Sequence, residues 1–397
     1  MFDRKTIKDI NIRDKKVIVR VDYNVPLDED LSVIDDARIR LSLPTLKYLK
    51  ENNSKIILMS HMGRPEGKSE KRYKLDPAAR KLGELMETEI KKFDDIYSEK
   101  IKQYIDTIMK AGEVIMLENL RFYPGEKSND RVFSEYLASL AEIYVNDAFG
   151  TAHRAHASVA GVPQFLLAVS GLLLEKEVQT FSSLLESPEK PFLTILGGNK
   201  VSDKILVIKN LLNKVNALII CGGMTYTFLK ANSLEIGKSI CEEDQLDYAR
   251  EMMELAKKNN VDLLLPVDIT VAKEFKKNTE LKIIDIDKIP TDWMGLDMGT
   301  KTIKLFSEKI KSAKTIFWNG PAGVFEWDRF SKGTKSLAFA VANSKAVTVA
   351  GGGDTVAAIK KYGLTGKISH ISSGGGASME LLEGKLLPGI EALEKKQ

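Results

Sequence analysis

Short β-branched runs alternate with longer amphipathic segments along the whole chain, and this alternation constrains the fold more than any other feature. The runs are Lys16–Val21, Lys55–Met59, Val114–Leu117 and Glu142–Val145, then Phe192–Leu196, Ala217–Cys221, Asp262–Pro266, Thr315–Trp318, Ala346–Ala350 and Ile368–Ile371. A period of two giving way to a period near 3.6, over and over, is what parallel strands joined by crossover helices require, so the chain reads as α/β. The pattern falls into two halves, each an open parallel sheet, and 397 residues let each half bury its own core. Leu172 to Leu185 reads as a helix between them, followed by Glu186-Ser187-Pro188-Glu189-Lys190-Pro191, whose prolines break helix. The expected organisation is residues 1–171, a connecting helix and hinge at 172–191, a second domain at 192–378, and a segment at 379–397 packing back near the hinge or the first domain.

Several function classes lose support at once. Lys plus Arg exceeds Asp plus Glu by 59 − 55 = 4, too small an excess to imply nucleic acid. Cys221 and Cys241 are too few for a disulfide framework, and Cys221 ends an apolar run, which fits a reduced thiol in a cytoplasmic protein. The first sixteen residues mix acids and bases without an apolar run, so neither a signal peptide nor a transit peptide is expected. The most apolar stretch, Val162 to Leu174, is interrupted by Pro163, Gln164 and Gly171, and no membrane span is expected. G-x-x-x-x-G-K-[ST], G-x-G-x-x-G at a strand-to-helix turn, HExxH, paired CxxC and G-x-S-x-G are all missing. A metal, on this reading, arrives with a nucleotide.

In open α/β sheets ligands bind beyond the carboxyl ends of the strands. In the first half those ends lead into Asp22-Tyr23-Asn24, Ser60-His61-Met62-Gly63-Arg64, Glu118-Asn119-Leu120-Arg121 and Asn146 to Arg154. Each arginine alone reads equally as a surface ion-pair residue. Recurrence after successive strands instead points to a rim that binds a small polyanion, because guanidinium forks match phosphate and carboxylate. In the second half the same positions carry glycine: Gly197-Gly198, Gly222-Gly223, Asn319-Gly320-Pro321, Gly351-Gly352-Gly353-Asp354-Thr355 and Gly374-Gly375-Gly376. Glycines also make ordinary tight turns, but five such turns suit backbone N–H groups approaching the phosphates of a nucleotide.

Lys200 and Lys204 are four residues apart, a spacing that puts both ammonium groups on one face if a helix opens there; solvated lysines beside Asp203 are the alternative. Asp354 is suited either to hold Mg²⁺ against nucleotide phosphates or to cap a helix. Glu326 fits a ribose acceptor or a solvated loop carboxylate.

Taken in order, Arg20 to Pro26, Ser60 to Pro65, Gly150 to His156, Gly197 to Lys204, Phe317 to Pro321 and Gly351 to Thr355 closely resemble the phosphoglycerate kinase family over nearly the full chain. The resemblance implies an α/β protein of two Rossmann-like domains with parallel sheets separated by a hinged cleft. It implies reversible phosphoryl transfer between 1,3-bisphosphoglycerate and MgADP, giving 3-phosphoglycerate and MgATP, in a cytoplasmic monomer. By the family pattern Asp22, Asn24, Arg38, His61, Arg64, Arg121 and Arg154 contact the phosphoglycerate, and Arg38 and Lys200 serve the transferring phosphoryl group. Lys204 meets the nucleotide phosphates, while Gly222, Gly223, Gly295, Leu296, Asn319, Pro321 and Glu326 surround the nucleoside. Gly352, Gly353, Asp354 and Thr355 lie at the phosphates, with Asp354 at Mg²⁺. Asn199, Met62, Thr225 and Thr300 depart from the commonest family spelling, and none of the four removes a charged contact. A non-catalytic, nucleotide-responsive interaction protein on the same scaffold is the alternative reading, and a dehydrogenase is a third on fold grounds alone.

Overall fold

The structure is a computed structural model that describes residues 3–396. Contacts divide the chain into one unit of Met1–Ser182 with Leu386–Gln397 and a second of Ser183–Lys385. The division falls inside the helix Leu172–Glu186, and residues from 379 up to Lys385 stay with the second unit. In the first unit, the short final helix Pro388–Glu391 seats on the end of the sheet: Asn146 Nδ2 donates to the Gly389 carbonyl at 3.0 Å, and Gly389 N to the Ala152 carbonyl at 2.8 Å.

The first unit holds strands β1 (Lys16–Val21), β2 (Lys55–Met59), β3 (Lys91–Lys92), β4 (Val114–Met116), β5 (Ile143–Asp147) and β6 (Leu167–Ser170). They form one sheet in the order β3-β4-β2-β1-β5-β6 with every pairing parallel. The second holds β7 (Phe192–Leu196), β8 (Ala217–Ile220), β9 (Asp262–Leu264), β10 (Asp268–Ala272), β11 (Leu281–Asp285), β12 (Met294–Met298), β13 (Thr315–Asn319), β14 (Val347–Gly351) and β15 (His370–Ile371). Its parallel sheet runs β15-β14-β13-β7-β8-β9.

Strands such as β5 and β7 are buried at every residue, because helices cover both faces of a parallel sheet and leave no polar face to alternate with. In the first core Val17, Val19, Ile56 and Leu58 pack against Ile39, Leu46 and Leu49 of helix Ala37–Glu51. In the second, Ile195, Ile219 and Trp318 pack against Phe306, Ile310 and Leu337. In each sheet the chain first builds outward on one side of its opening strand and then returns to the other. The reversal falls between β1 and β5 in one unit and between β7 and β13 in the other, the crevices where an open sheet binds ligands.

The structure adds strands that the alternation does not announce: β3, β6 and a separate antiparallel sheet ordered β11-β10-β12. β3 is two lysines, and β6 lies in the stretch interrupted by Pro163 and Gly171, so neither carries a clean strand period. β11 has no buried residue and so no apolar face to read.

Candidate functional site

At the end of β1, Asp22 Oδ2 accepts from Arg38 Nη1 at 2.9 Å, and the same nitrogen reaches the Asn24 carbonyl at 3.2 Å. Helix Ala37–Glu51 thus delivers Arg38 to the rim from its first turn. Asn24 Oδ1 accepts from Gly63 N at 2.8 Å, fixing the turn after β2. Gly63 has φ +61 and a Cβ there would lie 2.2 Å from the Tyr73 ring, so a side chain is excluded on both counts. Its carbonyl accepts from Arg121 Nη1. Buried Asn119 binds the loops after β2 and β4 together, accepting from Met62 N at 3.2 Å and donating to the Met62 carbonyl at 2.8 Å.

Burial first, then Arg154 and Arg20, bring the Arg121 guanidinium down to about 10. Arg154 is also lowered by burial, with Asp22 opposing the shift. His61 is buried, and its imidazole is held well below the ordinary histidine value by burial and then by Arg20, Arg121, Arg154 and Arg38. Arg64, which is exposed, bears electrostatically on Arg121 and Arg154. The structure therefore brings all seven expected residues of this rim together. Arg121 Nε, Arg154 Nη1 and His153 Nδ1 are buried without a hydrogen-bond partner. A buried donor left unpaired costs about 1–3 kcal/mol, more when charged, so three on one rim point to an anionic ligand that accepts from them.

Two cavities of the second unit are lined by the glycine turns. One, of ≈ 540 Å³, is lined by Gly222, Gly223, Gly295, Leu296, Pro321 and Glu326; the other, of ≈ 550 Å³, by Lys200, Lys204, Asn319, Gly352, Gly353, Asp354 and Thr355. Gly198, Asn199, Pro321 and Asp354 line both, so the two are continuous in composition. At the switch point Gly197 N donates to the Asn319 carbonyl at 2.8 Å, and a Cβ on Gly197 would sit 2.2 Å from the Pro321 carbonyl. Glycine there is a requirement of the backbone crossing itself. Asn319 Oδ1 accepts from Lys204 Nζ at 2.5 Å while Nδ2 donates to the Gly351 carbonyl at 2.8 Å. Burial lowers the Lys204 ammonium, with Asp203, Cys221 and Asp354 opposing. A Cβ added to Gly353 would meet nothing within 4 Å, so its backbone faces open space.

Two sequence readings are corrected. Lys200 and Lys204 do not share an α-helical face: Ser202–Lys204 is a 3-10 turn and the α-helix begins at Ile205. The Glu242 carboxylate accepts from Val201 N at 2.5 Å and Ser202 N at 3.1 Å, tying down the backbone of this approach. Both lysines still line one cavity. Asp354 is not a helix cap, because Gly352, with φ +92, is the residue flanking helix Gly353–Lys361 and Asp354 lies in its first turn.

Sequence reasoning missed the apolar walls of the first cavity, Tyr226, Ile240, Phe275, Met294, Val324 and Trp327. Phe275 and Met294 come with the antiparallel strands, and nothing in the β-α-β alternation signals them. It also missed Arg20, Ser158 and Glu126 behind the arginine rim, although a charged residue inside Val17-Ile18-Val19-Arg20-Val21 was a visible signal. Among the described residues, the one group of carboxylates close enough to share a metal, Asp76, Asp94 and Glu118, surrounds the Lys92 ammonium at 3.0, 2.8 and 2.5 Å. The Lys92 ammonium already takes the place a cation would hold. No helix among the described residues is long and apolar enough to cross a membrane.

A family model described as phosphoglycerate kinase matches residues 7–385. The chain is 54% identical over 397 residues to a phosphoglycerate kinase of Dictyoglomus turgidum, covering 99% of this chain and 100% of that one. It is 50% identical over 393 residues to one of Pelotomaculum thermopropionicum, covering 99% and 100%. Among solved structures, phosphoglycerate kinase from Coxiella burnetii aligns with a TM-score of 0.90 at 41% identity, and that from Pyrococcus horikoshii with 0.84 at 33%, each covering 98% of both chains.

Proposed function

The chain belongs to the phosphoglycerate kinase family, glycolytic phosphotransferases, and from that premise we propose how its two rims divide the reaction. The reaction is reversible transfer of a phosphoryl group between the acyl phosphate of 1,3-bisphosphoglycerate and ADP, giving 3-phosphoglycerate and ATP. The arginine rim of the first unit takes the phosphoglycerate, through Asp22, Asn24, Arg38, His61, Arg64, Arg121 and Arg154. The nucleoside occupies the cavity lined by Gly222, Gly223, Gly295, Leu296, Pro321 and Glu326. Its phosphates extend into the neighbouring cavity, toward Lys200, Lys204, Asn319, Gly352, Gly353, Asp354 and Thr355. The observation that carries this reading is the set of buried, unpartnered donors on Arg121, Arg154 and His153.

Phosphoryl transfer passes through a loose transition state with charge spread over the equatorial oxygens, so the chain has to align donor and acceptor and stabilise that charge. The acceptor is the ionised β-phosphate of ADP in one direction and a carboxylate in the other. Neither needs deprotonation, so no residue is required as a general base or as a covalent nucleophile. Arg38 and Lys200 stabilise the charge of the group in flight. Because the rims belong to different units, transfer requires a closure that brings the two bound phosphates together and excludes water.

Mg²⁺ enters as part of the nucleotide substrate. The residues present fit it: Asp354 is an exposed carboxylate lining both cavities, and Mg²⁺ takes one or two carboxylates alongside phosphate oxygens. When bound, the ion supplies charge neutralisation at the phosphates. A monomeric, cytoplasmic enzyme is proposed on kinship alone.

A coupled assay of ADP formation from ATP and 3-phosphoglycerate tests the activity, and calorimetric titration of each ligand tests the division of the sites. Arg154→Met should abolish 3-phosphoglycerate binding and leave ADP binding intact. The non-catalytic alternative predicts nucleotide binding without turnover, and the complete charged set on both rims disfavours it.

A further inference from the structure

Two histidines on the arginine rim face arginine side chains at hydrogen-bond distance. Arg20 Nη2 lies 3.1 Å from His61 Nδ1, and Arg154 Nε donates to His153 Nε2 at 3.3 Å. A guanidinium has donors only and does not deprotonate, so a ring nitrogen that meets one must present a bare lone pair. The proton of the neutral ring then sits on the other nitrogen. The two contacts involve different ring nitrogens, so the two rings must be opposite tautomers. Asp22 Oδ1 also approaches His61 Nδ1, but at 3.8 Å it is out of hydrogen-bond reach.

Arg20 is held firmly enough to impose this. It is 1% exposed, and each of its three nitrogens is used: Nε donates to Ser158 Oγ at 2.9 Å, Nη1 to the Val21 carbonyl, and Nη2 faces His61. Ser158 Oγ in turn donates to Glu126 Oε1 at 2.7 Å, and Ser158 N to Oε2 at 2.9 Å. That bond commits the serine hydrogen and turns a lone pair toward Arg20. Burial opposes ionisation of Glu126, but His156, Arg20 and Ser158 outweigh it and keep the carboxyl below its ordinary value. The carboxylate supplies the countercharge behind the arginine.

We infer that His61 and His153 act on this rim as uncharged hydrogen-bond donors of opposite tautomer, His61 through Nε2–H as fixed by Arg20, and His153 through Nδ1–H as fixed by Arg154. The unpartnered, buried His153 Nδ1 is the donor this assignment leaves facing a ligand. The groups bearing on His61 are Arg20, Arg121, Arg154 and Arg38, with Asp22 at 3.8 Å; those bearing on His153 are Arg154, His156 and Asp22. Burial and then Arg154 bring His153 to about 4, so both rings stay neutral at neutral pH. Arg20 is thereby a positioning residue, which acts on substrate through His61.

The inference rests on reading this rim as the phosphoglycerate site, and the test separates the two. The full chain is isotope-labelled at the imidazole nitrogens, and two-bond proton–nitrogen spectra are recorded without ligand from neutral pH down to about pH 5. His61→Gln and His153→Gln assign the signals. Expected are a bare Nδ1 and protonated Nε2 on His61, the reverse on His153, and no ring protonation over that range. A proton on His61 Nδ1, the same tautomer on both rings, or an imidazolium at either site in the unsubstituted protein overturns the inference. Saturating 3-phosphoglycerate should then shift His61 Nε2–H and His153 Nδ1–H. If the compound binds and neither signal moves, the donor role is wrong; if it does not bind, the proposed function fails while the tautomers stand tested. Ser158→Ala, which frees Arg20 Nε, should bring back exchange between the two His61 tautomers while leaving His153 unchanged.

Discussion

Asp147 closes β5 with a fully buried carboxylate, and replacing it by asparagine makes a prediction whose sign depends on pH. Oδ1 accepts from Leu173 N at 2.9 Å and Leu174 N at 3.4 Å, at the start of helix Leu172–Glu186. A Cβ on Gly171 would lie 2.2 Å from the same oxygen, so the chain must turn there without a side chain. Burial pushes the carboxyl up to about 7 from 3.8, against the pull of Thr45 and the two backbone N–H groups. A folded value above the unfolded one means that the fold prefers the neutral acid. This contribution is fully present below the unfolded value and is lost as pH rises through the folded one. Three units at about 1.36 kcal/mol each make the loss roughly 4 kcal/mol well above neutrality.

Asp147→Asn keeps the acceptor and cannot ionise, but puts an amide donor where Oδ2 is buried without a partner. That donor costs about 1–3 kcal/mol at every pH. The variant should therefore be the less stable protein near pH 4, before the loss sets in, and the more stable one near pH 8.5, by on the order of 1–3 kcal/mol at the upper end. Denaturant midpoints followed by far-ultraviolet circular dichroism across this range would show the two curves crossing. Parallel curves, with the variant less stable throughout, would refute the claim that burying this carboxylate is what sets its ionisation.

Arg38→Ala should lower turnover by roughly a hundredfold or more, about 3 to 4 kcal/mol, the scale of losing one preorganised donor at a charged transition state. Its ion pair with Asp22 is more than a third exposed on the arginine side, so thermal melts should show a stability change below about 1 kcal/mol. Asp354→Asn should weaken Mg-nucleotide binding in calorimetry and leave 3-phosphoglycerate binding nearly unchanged, whereas equal losses would make the residue structural. Gly295→Val places its Cβ 1.8 Å from Tyr226 Oη, inside the nucleoside cavity. Overpacking of about 1–3 kcal/mol should raise the KM for ATP by roughly tenfold or more with the KM for 3-phosphoglycerate unchanged.

The legible parts of this chain are those where one physical rule acts alone. β1, β2 and β7 have the bounds their sequences suggest, because a strand covered on both faces needs a near-continuous apolar run, interrupted in β1 by Arg20. The arginine rim is legible through topology: once the strands are placed, their carboxyl ends are known, and His61, Arg64, Arg121 and Arg154 all follow such ends. The cavity walls are not. Phe275 is 59% exposed and precedes an exposed strand, so by hydropathy it reads as a surface residue until the antiparallel sheet brings it beside Trp327, with ring centroids 4.8 Å apart. Lys200 and Lys204 show a different limit, since converging on one cavity fixes where the side chains end and not what backbone carries them. The spacing of four suits a helix, but Ser202–Lys204 is a 3-10 turn and the α-helix starts only at Ile205.

The two rims meet anions by different means, and the histidine tautomers make sense of the difference. Around the glycine turns the contact surface is backbone, whose N–H groups bring no net charge into the site. The other rim is made of side chains, and its arginines already lower one another: Arg154 and Arg20 both act to bring Arg121 down. An imidazolium at His61 or His153 would add repulsion to a cluster with one nearby carboxylate, Asp22, and one behind it, Glu126. An uncharged imidazole adds a directed donor at no electrostatic expense. It can do so only if something decides which nitrogen holds the proton, and a guanidinium, which cannot accept a hydrogen bond, decides it wherever the ring is neutral. The buried arginine behind His61 thus does more for the rim by removing one option from a neighbour than by adding a further positive charge.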